Sequence, residues 1–346
     1  MANGLSSGIK NLLGKNMELR KKAMCLAAAM LLLFCGGCRA EKEPPRVSEV
    51  GYCMDTVIIL TAYTDNPQVL KDAMEECARY EQLLSRTIEG SDVWRINHAE
   101  GRPVTVSEHT CRILRCALEI SRLSDGAFDV TIAPASTLWD FTGGEAMLPD
   151  AGELARAAEL IDYTQVRLEG SEVTLPAGMM IDLGGIAKGY VADRIREYLE
   201  GRGVKHAILS FGGNIVAIGL KPDGSDWKVG IQDIDRPTGE YMLVSRNRGG
   251  STVTSGIYER GFDLDGVRYH HILSPENGMP VQNELASVTI FSENSMEGDA
   301  LSTTAFILGT EKGTALIDRL DGIEAVFISR NREVTYSSGA RDWIIP

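Results

Sequence analysis

Four short runs carry side chains that could do chemistry, and they lie far apart: Asp182 to Gly189 (DLGGIAKG), Ser210 to Asn214 (SFGGN), His270 to Pro280 (HHILSPENGMP) and Asp299 to Thr304 (DALSTT). Asp182 ends a strand-like stretch, and Gly184 and Gly185 open a helical one. That turn aims backbone N–H groups and the positive end of a helix at one place, which suits an anion. Gly185 permits close backbone approach and can present its carbonyl, while Lys188 reaches the same place as a compact positive charge. Asp299 and Thr303 stand four apart, so on a helix the carboxylate and the hydroxyl share a face. Oxygen ligands of this kind suit magnesium, which takes one or two protein groups and fills its shell with phosphate and water. The structural alternative is an N-cap at Asp299 and a half-buried Thr303. The adjacent His270 and His271, among five histidines, end a short strand, so that one can face the core and the other a site where imidazole acts as general base. Together the runs point to a phosphoryl-type transfer on a phosphate ester beside a hard metal. The GxGxxG dinucleotide pattern and the GxxxxGK[ST] phosphate loop are absent.

A fifth stretch, Asp125 to Val130 and on through Pro134, Leu138, Trp139 and Phe141, joins a turn, a carboxylate and aromatic surface. It could hold a planar heterocycle, or be a surface turn followed by core aromatics. The elements that must position these groups follow from periodicity. Strands are expected at residues 56–63, 172–175, 179–183, 207–210, 215–220, 227–231, 241–246, 251–255, 286–291 and, last, 325–328. Helices are expected at 69–85, 107–123 (capped by Ser107), 151–161, 186–199, 299–308 and 312–320. Strands and helices mixed without strict alternation imply an α+β fold.

The front of the chain has the form of an address. Arg20, Lys21 and Lys22 precede an apolar stretch from Ala23 to Phe34, then Cys35, Gly36, Gly37 and Cys38. The apolar run is shorter than the roughly 20 residues that a membrane span needs, so residues 1–38 are expected to be a signal peptide, with synthesis starting at Met17. Residues 39–49, charged and carrying Pro44 and Pro45, have the composition of a tether. The folded body, residues 50–346, holds roughly 295 residues, enough for one large two-lobed domain or two closely packed ones. A formal charge of −13 with no basic run excludes a nucleic-acid partner. In the body, Cys53, Cys77, Cys111 and Cys116 form no CxxC pair and are expected to be small buried hydrophobes, with a Cys111–Cys116 disulfide as the alternative.

The order MDT (Met54 to Thr56), SDVWRIN (Ser91 to Asn97), DGAFDVTIAP (Asp125 to Pro134), LWDF (Leu138 to Phe141), DLGGIAKGY, SFGGN, TSGIYER (Thr254 to Arg260), HHILSPENGMP and DALSTTAF resembles the FAD:protein FMN transferases, the ApbE family, from about Cys53 to the end. Small residues ahead of Cys38 likewise resemble a lipobox, which implies lipidation of Cys38 and a membrane-anchored lipoprotein facing the extracytoplasmic side.

The family resemblance implies a two-lobed domain with its site in the cleft between lobes. It implies FAD as substrate, Mg²⁺ on its pyrophosphate, and a partner's threonine hydroxyl that takes the FMN phosphoryl group as AMP leaves. It places metal ligands at Asp299, Thr303 and the Gly185 carbonyl. FAD contacts fall at Met54, Ala127, Phe128, Asp129, Asp182, Lys188 and Ile272, and the base at His271. Acceptors would be exported or membrane proteins with an FMN-binding domain, such as Rnf-type or sodium-pumping NADH:quinone reductase subunits, or flavin reductases. Three positions depart from the family pattern: Asp55 where glycine is usual, Arg86–Thr87 where a tyrosine is frequent, and Ser274 where aspartate is usual. An FAD pyrophosphatase yielding free FMN and AMP, and a flavin-binding lipoprotein without chemistry, remain the alternatives.

Overall fold

Alternating β-branched and apolar residues build a hairpin, β1 (Arg46–Cys53) and β2 (Thr56–Tyr63), whose partners run in register from Arg46 opposite Tyr63 to Cys53 opposite Thr56. The computed structural model describes residues 43–141, 146–234, 236 and 239–346. The signal peptide, Met17 and Cys38 lie outside the described residues. β1 begins four residues before the expected start of the body, because Arg46 to Glu49, assigned by composition to the tether, pair with β2. No helix among the described residues is long and apolar enough to cross a membrane.

The helices are α1 (Gln68–Leu84), α2 (Asp92–Asn97), α3 (Glu108–Leu123), α4 (Ala133–Ser136), α5 (Ala151–Ala158), α6 (Ala187–Glu200) and α7 (Ser295–Ile317). The further strands are β3 (Val104–Thr105), β4 (Arg167–Glu169), β5 (Glu172–Thr174), β6 (Ala207–Phe211), β7 (Asn214–Ile218), β8 (Trp227–Gln232), β9 (Tyr241–Asn247), β10 (Gly250–Gly256), β11 (Gly261–Leu264), β12 (Val267–His270), β13 (Leu285–Ser292), β14 (Glu324–Ser329) and β15 (Val334–Tyr336). Eight strands form one sheet in the order β1-β2-β6-β7-β10-β13-β14-β15, every neighbouring pair antiparallel. An antiparallel sheet with segregated helices is the expected α+β class.

The main core joins buried residues of the sheet, such as Ile58, Leu60, Leu209 and Val288, to those of α1, α6 and α7, such as Leu70, Ile195 and Phe306. A second core of Ala135, Trp139, Leu154, Ala157 and Leu273 builds a smaller lobe around α4 and α5. On the opposite face of the sheet, Phe291 stacks on Trp343 at 5.2 Å, and a third core includes Ile231 of β8. Cover on this face therefore lies toward β13 and β14. At the other end, the outward residues of β1 and, in β2, Val57 and Ile59 are exposed.

Four expected elements differ. Residues 179–183 are not a strand: the side chain of Asn97 takes both backbone groups of Ile181, donating to its carbonyl (2.9 Å) and accepting its N–H (2.7 Å), and only single backbone bonds such as Asp182 N–H to the Val130 carbonyl (2.7 Å) flank it. The helices expected at 299–308 and 312–320 are one run from Ser295, broken at Gly309, whose φ of 76° and ψ of 176° are not helical. Residues 325–328 are not the last strand, since β15 follows and pairs with β14. Cys53, Cys77, Cys111 and Cys116 are free thiols, three of them buried. Cys111 and Cys116, five apart on α3, point to different sides of the helix and cannot bridge.

Candidate active site

The turn that starts α6 is folded by Asp182. Its carboxylate accepts the Gly184 N–H (2.8 Å) and the Ser136 hydroxyl (3.2 Å), and it pairs with Arg86 (3.1 Å). Lys188 extends back over the turn and donates to the Gly184 carbonyl (3.1 Å). Gly185 sits in a tight cradle, where a Cβ would stand 3.2 Å from the Phe128 ring and 3.7 Å from Thr303 Oγ1. The expected glycine turn before a helix is therefore present, and Thr303 faces it from α7.

Two carboxylates lock α6 and α7 together. Asp299 Oδ2 accepts the N–H of Gly189 (2.8 Å), one of the donors that the first turn of α6 leaves unpaired. In return, Asp193 on α6 accepts the N–H groups of Ser295 (3.0 Å) and Met296 (2.9 Å) at the start of α7. Each helix caps the other. Asp299 is thus not the cap of its own helix, which begins four residues earlier. Gly189 is required at the crossing, since a Cβ there would lie 2.1 Å from the Ser295 carbonyl oxygen. Among the described residues Asp299 Oδ1 has no hydrogen-bond partner, and the carboxylate lines the cleft.

The two histidines divide as their adjacency suggested. His270 is fully buried, with its Nε2–H donated to the Val281 carbonyl (2.9 Å) and its Nδ1 accepting the Ile272 N–H (3.3 Å). This pattern requires the neutral ring, and burial lowers its pKa to about 4. His271 faces the cleft. Burial, with Lys188 adding to it, pulls its pKa down to about 3. Its Nδ1–H points at the Arg260 carbonyl (3.4 Å), which leaves the Nε2 lone pair free to accept a proton.

These elements enclose a cleft of about 1300 Å³. All eleven body residues singled out in the sequence line it: Met54, Ala127, Phe128, Asp129, Asp182, Gly185, Lys188, His271, Ile272, Asp299 and Thr303. The Asp129 carboxylate is occupied with structure, accepting Thr131 N–H (2.7 Å), Thr131 Oγ1 (2.6 Å) and Tyr163 N–H (2.9 Å). Trp139 and Phe141 border the cleft as a stacked pair, 5.4 Å apart and 10° from parallel. They serve the smaller core and the cleft wall at once.

The three departures acquire geometry. Met54 and Asp55 are the central pair of the β1–β2 turn, with φ of 54° and 56°, the left-handed region where glycine is easiest and aspartate is tolerated. The turn is held by Glu81, which accepts the Met54 N–H (2.7 Å), and by Arg260, which donates to the Asp55 carbonyl (2.9 Å). Arg86 engages Asp182 as described. Ser274 caps its turn by accepting the Glu276 N–H (3.3 Å), as expected of a serine.

Sequence reasoning gave no role to Glu81, Arg86, Asp193, Glu259 or Arg260. Glu259 lines the cleft and is exposed to it. Desolvation raises its carboxyl pKa, with Lys188 lowering it and Asp299 raising it again. Its place in the TSGIYER run was the available signal.

A family model described as the ApbE family matches residues 54–327. The chain belongs to the ApbE family. It is 37% identical over 295 residues to an FAD:protein FMN transferase of Klebsiella pneumoniae (strain 342), covering 83% of this chain and 90% of the relative. It is 34% identical over 348 residues to one of Treponema pallidum (strain Nichols), covering 93% and 96%. The crystal structure of the ApbE protein from Thermotoga maritima superposes with a TM-score of 0.80 at 30% identity, covering 87% of this chain and 100% of that one.

The ApbE cleft suits a divalent cation on two grounds. Asp299, Thr303 and Gly185 line it together and offer a carboxylate, a hydroxyl and a backbone carbonyl, all hard oxygen donors. The lining also carries seven carboxylates (Asp55, Glu81, Asp129, Asp140, Asp182, Glu259, Asp299) against four cations (Arg86, Lys188, Lys228, Arg260), so an entering pyrophosphate needs added positive charge. No group of three or more His, Cys, Asp or Glu side chains placed to share a metal occurs among the described residues. Magnesium, with few protein ligands, does not need one.

Proposed function

We propose that the chain is an FAD:protein FMN transferase that moves the FMN part of FAD, with Mg²⁺, onto a threonine hydroxyl of a partner flavoprotein and releases AMP. The observation that carries this reading is the convergence of Gly185, Lys188, His271, Asp299 and Thr303 in one cleft.

Asp299, Thr303 and the Gly185 carbonyl would hold the metal, which when bound neutralises pyrophosphate charge and aligns it for displacement. Lys188 and the N-terminus of α6 add positive charge on the same side. His271 Nε2, with its ring kept neutral, takes the proton of the threonine hydroxyl as its oxygen bonds to the FMN phosphorus. The bond to the bridging oxygen breaks, and AMP leaves with that electron pair. Phe128 and Met54 support the flavin end, and Ile272 and Asp182 shape the wall between.

The acceptor is a protein with an FMN-binding domain, of the Rnf-type, NADH:quinone reductase or flavin reductase kinds. The enzyme acts outside the cytoplasm as a lipoprotein anchored through Cys38, which a Cys38→Ser variant lacking diacylglycerol by mass would establish.

The direct test incubates residues 39–346 with FAD, Mg²⁺ and an exported FMN-binding domain, reading FMN added to that domain by intact mass. Transfer that vanishes in Asp299→Ala supports the reading. AMP and free FMN with no labelled protein would reassign the chain as an FAD pyrophosphatase, and no consumption of FAD would make it a binding lipoprotein.

A further inference from the structure

We infer that the cleft-proximal half of the β1–β2 hairpin is the surface on which the acceptor protein docks; the inference rests on the transferase reading above. Val50, Tyr52, Val57 and Ile59 are 63, 71, 51 and 41% exposed. They form one patch, because Val50 is paired with Ile59 and Tyr52 with Val57, and alternate residues of a strand share a face. Single exposed apolar residues are ordinary, but a contiguous group marks a contact surface.

Position decides what the surface meets. The two apolar pairs are those next to the turn, whereas the pairs farther along, Ser48 with Thr61 and Arg46 with Tyr63, are polar or charged. The patch therefore fades toward the end where the chain enters the body, roughly 20 Å from Tyr52 at the rise of an extended strand. A lipid surface met through the N-terminal anchor would favour the opposite gradient. A stable pair of copies along the open edge of β1 would need an interface of about 1,600 Å², far more than four side chains supply. A brief encounter with a protein substrate needs less.

The patch also runs into the cleft. Ile59 pairs with Ser210, Ser210 with Ile215, and Ile215 with Thr252, and the last two line the cleft wall. The turn that ends the hairpin is tied to the proposed base. Arg260 donates to the Asp55 carbonyl, and its own carbonyl accepts His271 Nδ1–H. A body seated on the patch is thereby held in register with His271. The partner that fits presents an apolar rim beside a surface threonine.

The test uses two double variants of the soluble body, Val50→Thr with Tyr52→Thr and Val57→Thr with Ile59→Thr, which keep strand-forming residues at positions that do not themselves line the cleft. FMN transfer is measured against the concentration of the exported FMN-binding domain, FAD affinity by flavin fluorescence, folding by thermal unfolding, and wild-type mass in solution by light scattering. Loss of two apolar contacts should raise KM for the acceptor roughly tenfold or more in each variant, with kcat, FAD affinity and unfolding temperature unchanged. A wild-type KM in both variants would overturn the docking surface while leaving the transferase intact. So would a wild-type dimer that the variants dissolve, or wild-type binding to anionic lipid vesicles that the variants lose, each with KM unmoved. Absence of transfer by the wild type would instead remove the transferase reading, and the docking surface with it.

Discussion

At the scale of single residues, the two histidines make opposite demands on acid. His271 stays neutral until about pH 3, so transfer should show no acid limb in kcat/KM near 6.5; a limb centred there would exclude it as a base of lowered pKa. His271→Ala should lower kcat by about 10²- to 10⁴-fold, the usual worth of a general base, with FAD affinity nearly unchanged by fluorescence titration. His270 bears on stability. The unfolded ring binds a proton below 6.5, while the folded one, with both nitrogens bonded to backbone, does so only near 4. Between those values the unfolded state holds more protons, so stability is full above 6.5 and falls as pH drops, by on the order of 3 kcal/mol from this group. Urea unfolding at pH 7.5 and 4.5 should show a smaller acid loss in His270→Gln than in the wild type. At the β1–β2 turn, Asp55→Gly should add up to about 1 kcal/mol by relieving the left-handed backbone, whereas Asp55→Val should destabilise.

At the scale of elements, the α6–α7 pair decides where the proposed metal ligands stand. Asp193→Ala would leave the Ser295 and Met296 N–H groups without their acceptor and should cost about 0.5–2 kcal/mol, the worth of a lost cap. If register between the helices places Asp299 against Gly185, the same variant weakens Mg²⁺ binding by calorimetry, and Asp193→Asn restores part of it. The helices themselves were legible, since α1, α3 and α6 each show apolar residues at helical spacing, and α3 and α6 also have a recognisable beginning. The cross-cap was not, because it joins positions 110 apart, Gly189 and Asp299, and neither residue carries a local sign of the other. Residues 179–183 mislead for a related reason. They have strand composition, but the group that satisfies the backbone at their centre, Ile181, is the side chain of Asn97, a partner that no periodicity reports. The site was legible as motifs. Glu259 and Arg260 lay inside one of them, yet their roles depend on packing across the β6–β7 turn and the β1–β2 turn.

At the scale of the whole molecule, a net charge of −13 and a cleft richer in carboxylates than in cations work against an anionic dinucleotide. FAD should therefore bind at least roughly tenfold more weakly after chelation of divalent cations. Saturating FAD and Mg²⁺ together should raise the unfolding midpoint, by about 2.7 kcal/mol at a hundredfold excess over Kd, and calorimetry with and without chelator measures it. The reciprocal caps have a further consequence, in time rather than in space. A chain made from its N-terminus carries Gly189 for more than a hundred residues before Asp299 exists to receive its N–H. The place where metal and phosphate would meet is therefore among the last parts of the core to be completed. A nascent chain stopped before Ser295 holds most of the flavin wall and none of the ligands from α7. Stalled nascent chains of increasing length should accordingly show competence for FAD, read by flavin fluorescence, only once α7 has been made.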